Sequence, residues 1–172
     1  SVLLALLPAH LLSKDEIRRW PLIGYLAVRA GTLFIPRGQR GAATQATERM
    51  TWFLRRGRSI MVFAEGTTSP GNTLKPFRAR LFAAASLAKR PVQPVAIHYP
   101  QASADCNPVV PFVDDDAFLP HLLRLLGEAR IPVTVTFCPV IASEGGGRKQ
   151  LAQRSQAAVA DALGLTPPAT LA

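Results

Sequence analysis

A chain of 172 residues is long enough for one domain with a sizeable core. With 48% hydrophobic and 18% charged residues it is expected to fold, which excludes a disordered chain. Twenty Lys and Arg against eleven Asp and Glu give +9, which favours anionic partners: a membrane surface, a nucleic acid, or a phosphorylated or CoA-bearing ligand. Simple solubility accounts for that charge about as well.

Val2 to Leu7 opens the chain as an apolar stretch. It is far too short to span a bilayer, and no basic region precedes it as in a signal peptide. The chain starts at Ser1 without Met, inside a helical pattern, so a fragment or processed product is expected. Leu11 to Ser13 reads as a short strand and Pro21 to Ala30 as a helix, with Pro early and Gly31 as its stop. Thr32 to Ile35 is the next strand, leading to Pro36 and Arg37. Ala46, Met50, Phe53 and Leu54 share one face of a helix that Gly57 ends.

Ile60 to Phe63 reads as a buried strand. The run Phe63-Ala64-Glu65-Gly66-Thr67-Thr68-Ser69-Pro70-Gly71-Asn72 follows, with Lys75-Pro76-Phe77-Arg78 close behind. A carboxylate, a glycine and three hydroxyls thus cluster on a turn. Phe77, Leu81, Phe82 and Ala85 then mark an amphipathic helix beginning near Phe77. Strand, polar loop, helix is where open α/β sheets place ligands. Val92 to Tyr99 is a strand interrupted by Pro94, Leu119 to Leu126 a helix, and Val133 to Phe137 a half-buried strand of period two. Ser143 to Arg148 is a Gly-rich linker, Leu151 to Leu163 a last helix, and Thr166 to Ala172 a frayed tail. Alternating strands and helices indicate an α/β fold.

Cys106 and Cys138 are too few for a disulfide framework and match no metal-ligand spacing, so they read as reduced and cytosolic. Asp114-Asp115-Asp116 with His121 reads as a solvated loop rather than a metal site, because three adjacent acids rarely converge on one ion. No metal and no nucleic-acid motif is expected. Trp20, Trp52 and the basic run Arg55-Arg56-Gly57-Arg58 fit a membrane interface, and fit a core aromatic beside a solvated cluster equally well.

Three of these stretches, in order, resemble the lysophospholipid acyltransferase family, whose best-known members are 1-acylglycerol-3-phosphate acyltransferases. Phe63 to Ser69 resembles the family's Phe-Pro-Glu-Gly-Thr-Arg-Ser motif. Gly31 to Arg37 resembles its Gly, Phe, closing-Arg motif, and Val92 to Ile97 its apolar strand around a proline. Lys14, with Pro21 and Gly24, resembles the lysine that precedes the second motif by one helix. The match runs from about Leu11 to Tyr99.

The resemblance implies an α/β fold with a mixed, largely parallel sheet flanked by helices. It implies a single N-terminally truncated domain over residues 1–165 with a tail over 166–172. It implies acyl transfer from acyl-CoA or acyl carrier protein to the hydroxyl of a lysolipid, lysophosphatidic acid or lyso-ornithine lipid, in membrane lipid synthesis. Acyl donor and lysolipid are then the partners, with an anionic membrane surface and no nucleic acid. No cofactor is implied beyond the acyl carrier as co-substrate. The expected location is the cytoplasmic face of a membrane, peripheral or anchored by an N-terminal segment outside the chain. The alternative is a non-catalytic lipid- or membrane-binding module that keeps the acceptor pocket.

The family's His-x-x-x-x-Asp motif, in which the His acts as general base and the Asp orients it, is expected upstream of Ser1. No catalytic residue is therefore assigned within the chain, and the fragment alone is expected to be inactive. His10 and Asp15 have the same spacing, but Lys14 lies inside it and leaves no room for the intervening helix and strand. They read as a histidine at a strand edge and a helix N-cap.

By the resemblance the acceptor is bound by Lys14, Arg37, Glu65, Gly66, Thr67 and Thr68. The plainer readings are a surface lysine, a surface arginine ending a strand, and a turn carboxylate beside turn-shaping residues. Thr68 stands where the family usually has Arg, and a hydroxyl cannot grip a phosphate bidentately. That departure, with Ser69 to Asn72, Pro76 to Arg78 and Phe118 to Leu122, looks more like the lyso-ornithine lipid acyltransferase branch.

Overall fold

The computed structural model describes residues 9–14, 25, 33–35, 41–67, 71–100, 124–125, 127–128 and 130–168. Three short apolar runs form a parallel sheet. β1 (Ala9–Lys14) is its middle strand, flanked by β2 (Leu33–Ile35) and β3 (Ser59–Met61). Lys14 is in register with Ile35, and Leu11 with Met61. His10, expected at a strand edge, is the second residue of this central strand and pairs with Ile60. Its ring lies 5.2 Å from that of Phe53.

Parallel neighbours need a crossover, and α1 (Ala42–Arg55) lies between β2 and β3 in sequence. It buries Ala42, Met50 and Thr51 and half-buries Ala46, Phe53 and Leu54, which is the face the spacing predicts. Thr51 is on that face because its hydroxyl donates to the Thr47 carbonyl at 2.7 Å. Gly57, at φ +74, stops the helix as expected.

β3 departs from the sequence reading in length and burial. It ends at Met61, its two apolar residues are only half-buried, and Phe63 is 52% exposed. The ladder stops early because the chain turns at once, with the Gly66 N–H donating to the Phe63 carbonyl at 3.0 Å. The next helix also starts later than expected. A 3-10 turn covers Ala79–Phe82 and runs into α2 (Ala83–Ala88).

β4 (Val95–His98) and β5 (Thr134–Phe137) pair antiparallel, from Val95 opposite Phe137 to His98 opposite Thr134. Pro94 interrupts the strand as read: Val92 bridges Ile141 separately, and the Pro94 carbonyl accepts from Cys138 N–H at 3.0 Å. Val135 is half-buried, but Phe137, on the expected inner face, is 49% exposed. α3 (Arg148–Leu163) starts one turn before the predicted helix and closes at Gly164, φ +65. Residues 166–168 continue from it, and Leu165 packs against the core.

The core has two parts joined by Phe77. One gathers Leu74, Ala96, Cys138, Val159 and Ala160; the other gathers Phe82, Ile141, Leu151 and Ala152. Burial pushes the Cys138 thiol above its usual value, so it stays protonated at neutral pH. Among the described residues no helix is long and apolar enough to cross a membrane, and no group of three His, Cys, Asp or Glu could hold a metal ion. Cys106, Asp114 to Asp116 and His121 lie outside the described residues, as do Asp15, Trp20 and all but Tyr25 of the predicted Pro21 to Ala30 helix.

Candidate functional site

Because β2 and β3 both run parallel to β1, all three strands end toward the same edge of the sheet. That is the edge at which parallel α/β sheets expose ligand-binding loops. Lys14 closes β1 there, opposite Ile35 at the end of β2; only its backbone is described. Arg37, two residues past β2, and Thr68 lie outside the described residues. Glu65, Gly66 and Thr67 follow β3 within a few residues and are described in full.

These three residues sit on a turn that is clasped from the far side by residues 75–78. The Lys75 N–H donates to Glu65 Oε2 at 3.0 Å. The Arg78 N–H donates to the Ala64 carbonyl at 2.9 Å, and Arg78 Nε–H to the Glu65 carbonyl at 3.0 Å. Ala64 packs against the second core cluster, which fixes the root of the turn. Glu65 and Gly66 are half-buried, and Thr67 is exposed. The carboxylate therefore holds the turn with one oxygen. Among the described residues Oε1 carries no hydrogen bond, so it is left to accept one from a hydroxyl or a cation.

Gly66 is required by its geometry. Its φ is +69, and a Cβ there would stand 2.5 Å from Arg78 Nε and 2.7 Å from Arg78 Cδ. Gly66→Ala should lower the unfolding free energy by about 1–3 kcal/mol, combining left-handed strain with loss of the Arg78–Glu65 hydrogen bond. Urea denaturation reads it. Adding Arg78→Ala should recover part of the loss by removing the clash, and an unchanged single variant would refute the turn geometry.

Arg78 was missed as a site partner, although its Pro-Phe-Arg run was visible. Nothing in the spacing says that the side chain folds back thirteen positions. A second omission is Gln156 on α3, which is 6% exposed. Its Oε1 accepts the Phe77 N–H at 2.7 Å, and its Nε2 donates to the Pro168 carbonyl at 3.2 Å. One amide thus ties the clasp to the last helix and to the segment after it. The available signal was a polar residue on the stripe Leu151, Ala152, Ser155, Val159 and Ala160.

Gln156→Ala should cost about 1–3 kcal/mol of stability, since it leaves the part-buried Phe77 N–H without its acceptor. Gln156→Glu should cost more at neutral pH, because a buried carboxylate still accepts from Phe77 but cannot donate to the Pro168 carbonyl that it then faces. Thermal melts that rank the two variants the other way would contradict this assignment of the amide.

A family model described as Acyltransferase matches residues 2–98. The chain is 45% identical over 164 residues to the lyso-ornithine lipid O-acyltransferase of Pseudomonas aeruginosa, covering 92% of this chain and 61% of that protein. It is 37% identical over 165 residues to the Brucella abortus protein of the same name, covering 88% of this chain and 62% of that one. It is 30% identical over 156 residues to the 1-acyl-sn-glycerol-3-phosphate acyltransferase of Neisseria gonorrhoeae, covering 90% and 61%. The chain thus spans about three fifths of the length of these curated relatives. Among solved structures, the 1-acyl-sn-glycerophosphate acyltransferase PlsC of Thermotoga maritima superposes with a TM-score of 0.63 at 19% identity, covering 91% of this chain and 56% of that one. At that identity the likeness shows the fold alone. The α/β, acyltransferase-like fold expected from the sequence is the one observed.

Proposed function

The chain belongs to the acyltransferase family, and from that premise we propose that the whole protein transfers a fatty acyl group to the hydroxyl of a lysolipid. The donor is an acyl thioester on CoA or acyl carrier protein. The thioester C–S bond breaks, the acceptor's C–O ester bond forms, and the hydroxyl proton ends on the released thiol. The observation that carries this reading is the family match across β1 to β4, with the Glu65–Gly66 turn clasped at the end of β3.

Lys14, Arg37, Glu65, Gly66, Thr67 and Thr68 are assigned to the acceptor. Glu65 offers a carboxylate oxygen to an acceptor group, while Gly66 keeps the turn tight enough for Arg78 to close behind it. The reaction is placed at the cytoplasmic face of a membrane with anionic lipid, where a lysolipid resides.

Lyso-ornithine lipid is the preferred acceptor in this reading. The 45% identity to a lyso-ornithine lipid O-acyltransferase against 30% to a 1-acyl-sn-glycerol-3-phosphate acyltransferase supports it, as does Thr68 in place of the Arg that would grip a phosphate. A thioester-release assay on the whole protein, with one donor and the two acceptors side by side, tests both levels. The expected result is turnover with preference for lyso-ornithine lipid, shifted toward lysophosphatidic acid by Thr68→Arg. Preference for lysophosphatidic acid in the unaltered protein would overturn the acceptor. No thiol release with any lysolipid would overturn the activity.

A further inference from the structure

The turn after β3 carries two opposite charges that do not cancel each other. The Glu65 side chain reaches across to the Lys75 N–H with Oε2, and the Arg78 side chain reaches back to the Glu65 carbonyl with Nε–H. Both charged ends therefore stand on the side of the turn that faces residues 75–78. Among the described residues no ion pair joins them, and neither charged end has a further partner. Oε1 of the carboxylate and both Nη groups of the guanidinium are left over.

The clasp alone does not call for this much charge. Main-chain bonds already hold the turn, from the Gly66 N–H to the Phe63 carbonyl and from the Arg78 N–H to the Ala64 carbonyl. A guanidinium carries five donors in a rigid plane, and the turn takes one of them. With Nε spent on Glu65, the Nη1–Nη2 edge of this exposed side chain is the one left to face a ligand. That edge matches the two oxygens of a carboxylate. Gly66 lets the guanidinium lie so close, because a Cβ there would stand 2.5 Å from Arg78 Nε. Glu65 is half-buried, so its second oxygen gains most from a partner that brings both positive charge and donors.

We propose that Arg78 and Glu65 together read a zwitterionic head group on the acceptor, the Arg78 Nη edge taking its carboxylate and Glu65 Oε1 its ammonium. The inference deepens the lyso-ornithine lipid reading given under the proposed function and rests on it. Ornithine attached through its α-nitrogen keeps a carboxylate and a terminal ammonium, joined by a short methylene chain. Such a head group can bridge two charges that stand on one turn without pairing. Arg78 then supplies, from beyond the turn, the guanidinium that Thr68 does not.

The test pairs variants with head groups in a thioester-release assay on the whole protein, with one acyl donor throughout. The acceptors are lyso-ornithine lipid, its carboxamide, which lacks the negative charge, and its norvaline counterpart, which lacks the ammonium. Arg78→Gln should lower kcat/KM for lyso-ornithine lipid by about tenfold or more, chiefly through KM, and change the carboxamide by under about twofold. Glu65→Gln should lose about tenfold or more on lyso-ornithine lipid and under about twofold on the norvaline lipid. Arg78→Lys should fall between wild type and Arg78→Gln, since it keeps the charge without the fork.

Equal losses on lyso-ornithine lipid and its carboxamide in Arg78→Gln would overturn the assignment, since Arg78 would then only brace the turn. That result in a protein that still prefers lyso-ornithine lipid would overturn this assignment alone. Wild-type preference for lysophosphatidic acid would overturn the acceptor reading and this assignment with it. Where no thiol is released, equilibrium binding of the same lipids in mixed micelles gives the same comparison. Weakened lyso-ornithine lipid and unchanged carboxamide in Arg78→Gln would then support the head-group site while counting against the enzymatic reading, and equal weakening would overturn the site.

Discussion

Replacing Glu65 with alanine is expected to lower kcat/KM for the lysolipid by about 10- to 150-fold, which corresponds to losing a hydrogen bond to a charged group worth about 1.5–3 kcal/mol. Two effects combine in that loss. The Lys75 N–H loses its acceptor, which leaves the turn to the Gly66–Phe63 bond and to the Arg78 bonds with the Ala64 and Glu65 carbonyls. The acceptor also loses the carboxylate assigned to it. Glu65→Gln separates the two, because an amide oxygen still accepts from Lys75 but carries no charge. The glutamine variant should melt within a degree or so of wild type and keep most of the kinetic defect. Full activity in Glu65→Gln would show that the carboxylate only closes the turn. Neither variant should be strongly destabilised, since the Lys75–Glu65 hydrogen bond is exposed.

The largest stability effect should come from Leu151→Ala. Leu151 is 1% exposed and belongs to the cluster with Phe82, Ile141 and Ala152. Truncating a leucine so enclosed leaves a cavity and costs about 2–5 kcal/mol, a large part of the roughly 5–15 kcal/mol that holds a domain folded. Leu87→Ala is the matched control. At 59% exposed it should change stability by under about 0.5 kcal/mol. Urea midpoints that fail to separate the two leucines would refute the burial assigned to α3. Because Ala64 and Phe77 pack against the same cluster, Leu151→Ala should also loosen the Glu65 turn and lower activity.

Local signals carried most of the fold. Short apolar runs between turn residues became β1, β2 and β3, and the spacing of Met50, Phe53 and Leu54 marked the inner face of α1. The family motifs identified the turn at Glu65. What was not legible depends on partners distant in sequence. Phe63 reads as strand by composition, but a turn hydrogen bond between its carbonyl and Gly66 takes it out of the ladder. Phe77 reads as the start of a helix. Its N–H is instead held by Gln156, and that of Arg78 by Ala64, so the chain stays extended until Ala79. No periodicity encodes a hydrogen bond across seventy-nine positions. Arg90 similarly gives no sign in sequence of reaching the end of α1, because its bond to the Leu54 carbonyl forms only when the two helices pack.

The pairing of His98 with Thr134 fixes where the interval between them begins and ends. The last residue of β4 and the first of β5 face each other across the ladder, so the chain departs and returns at adjacent points. Changing the length of residues 99–133 alters no register. Loop closure grows only logarithmically, by about 0.6 kcal/mol for each doubling. A change of length between the two strands therefore need not disturb β4, β5 or the Gln156 tie. The stretch at Phe118 to Leu122 that resembles one branch of the family lies inside this interval.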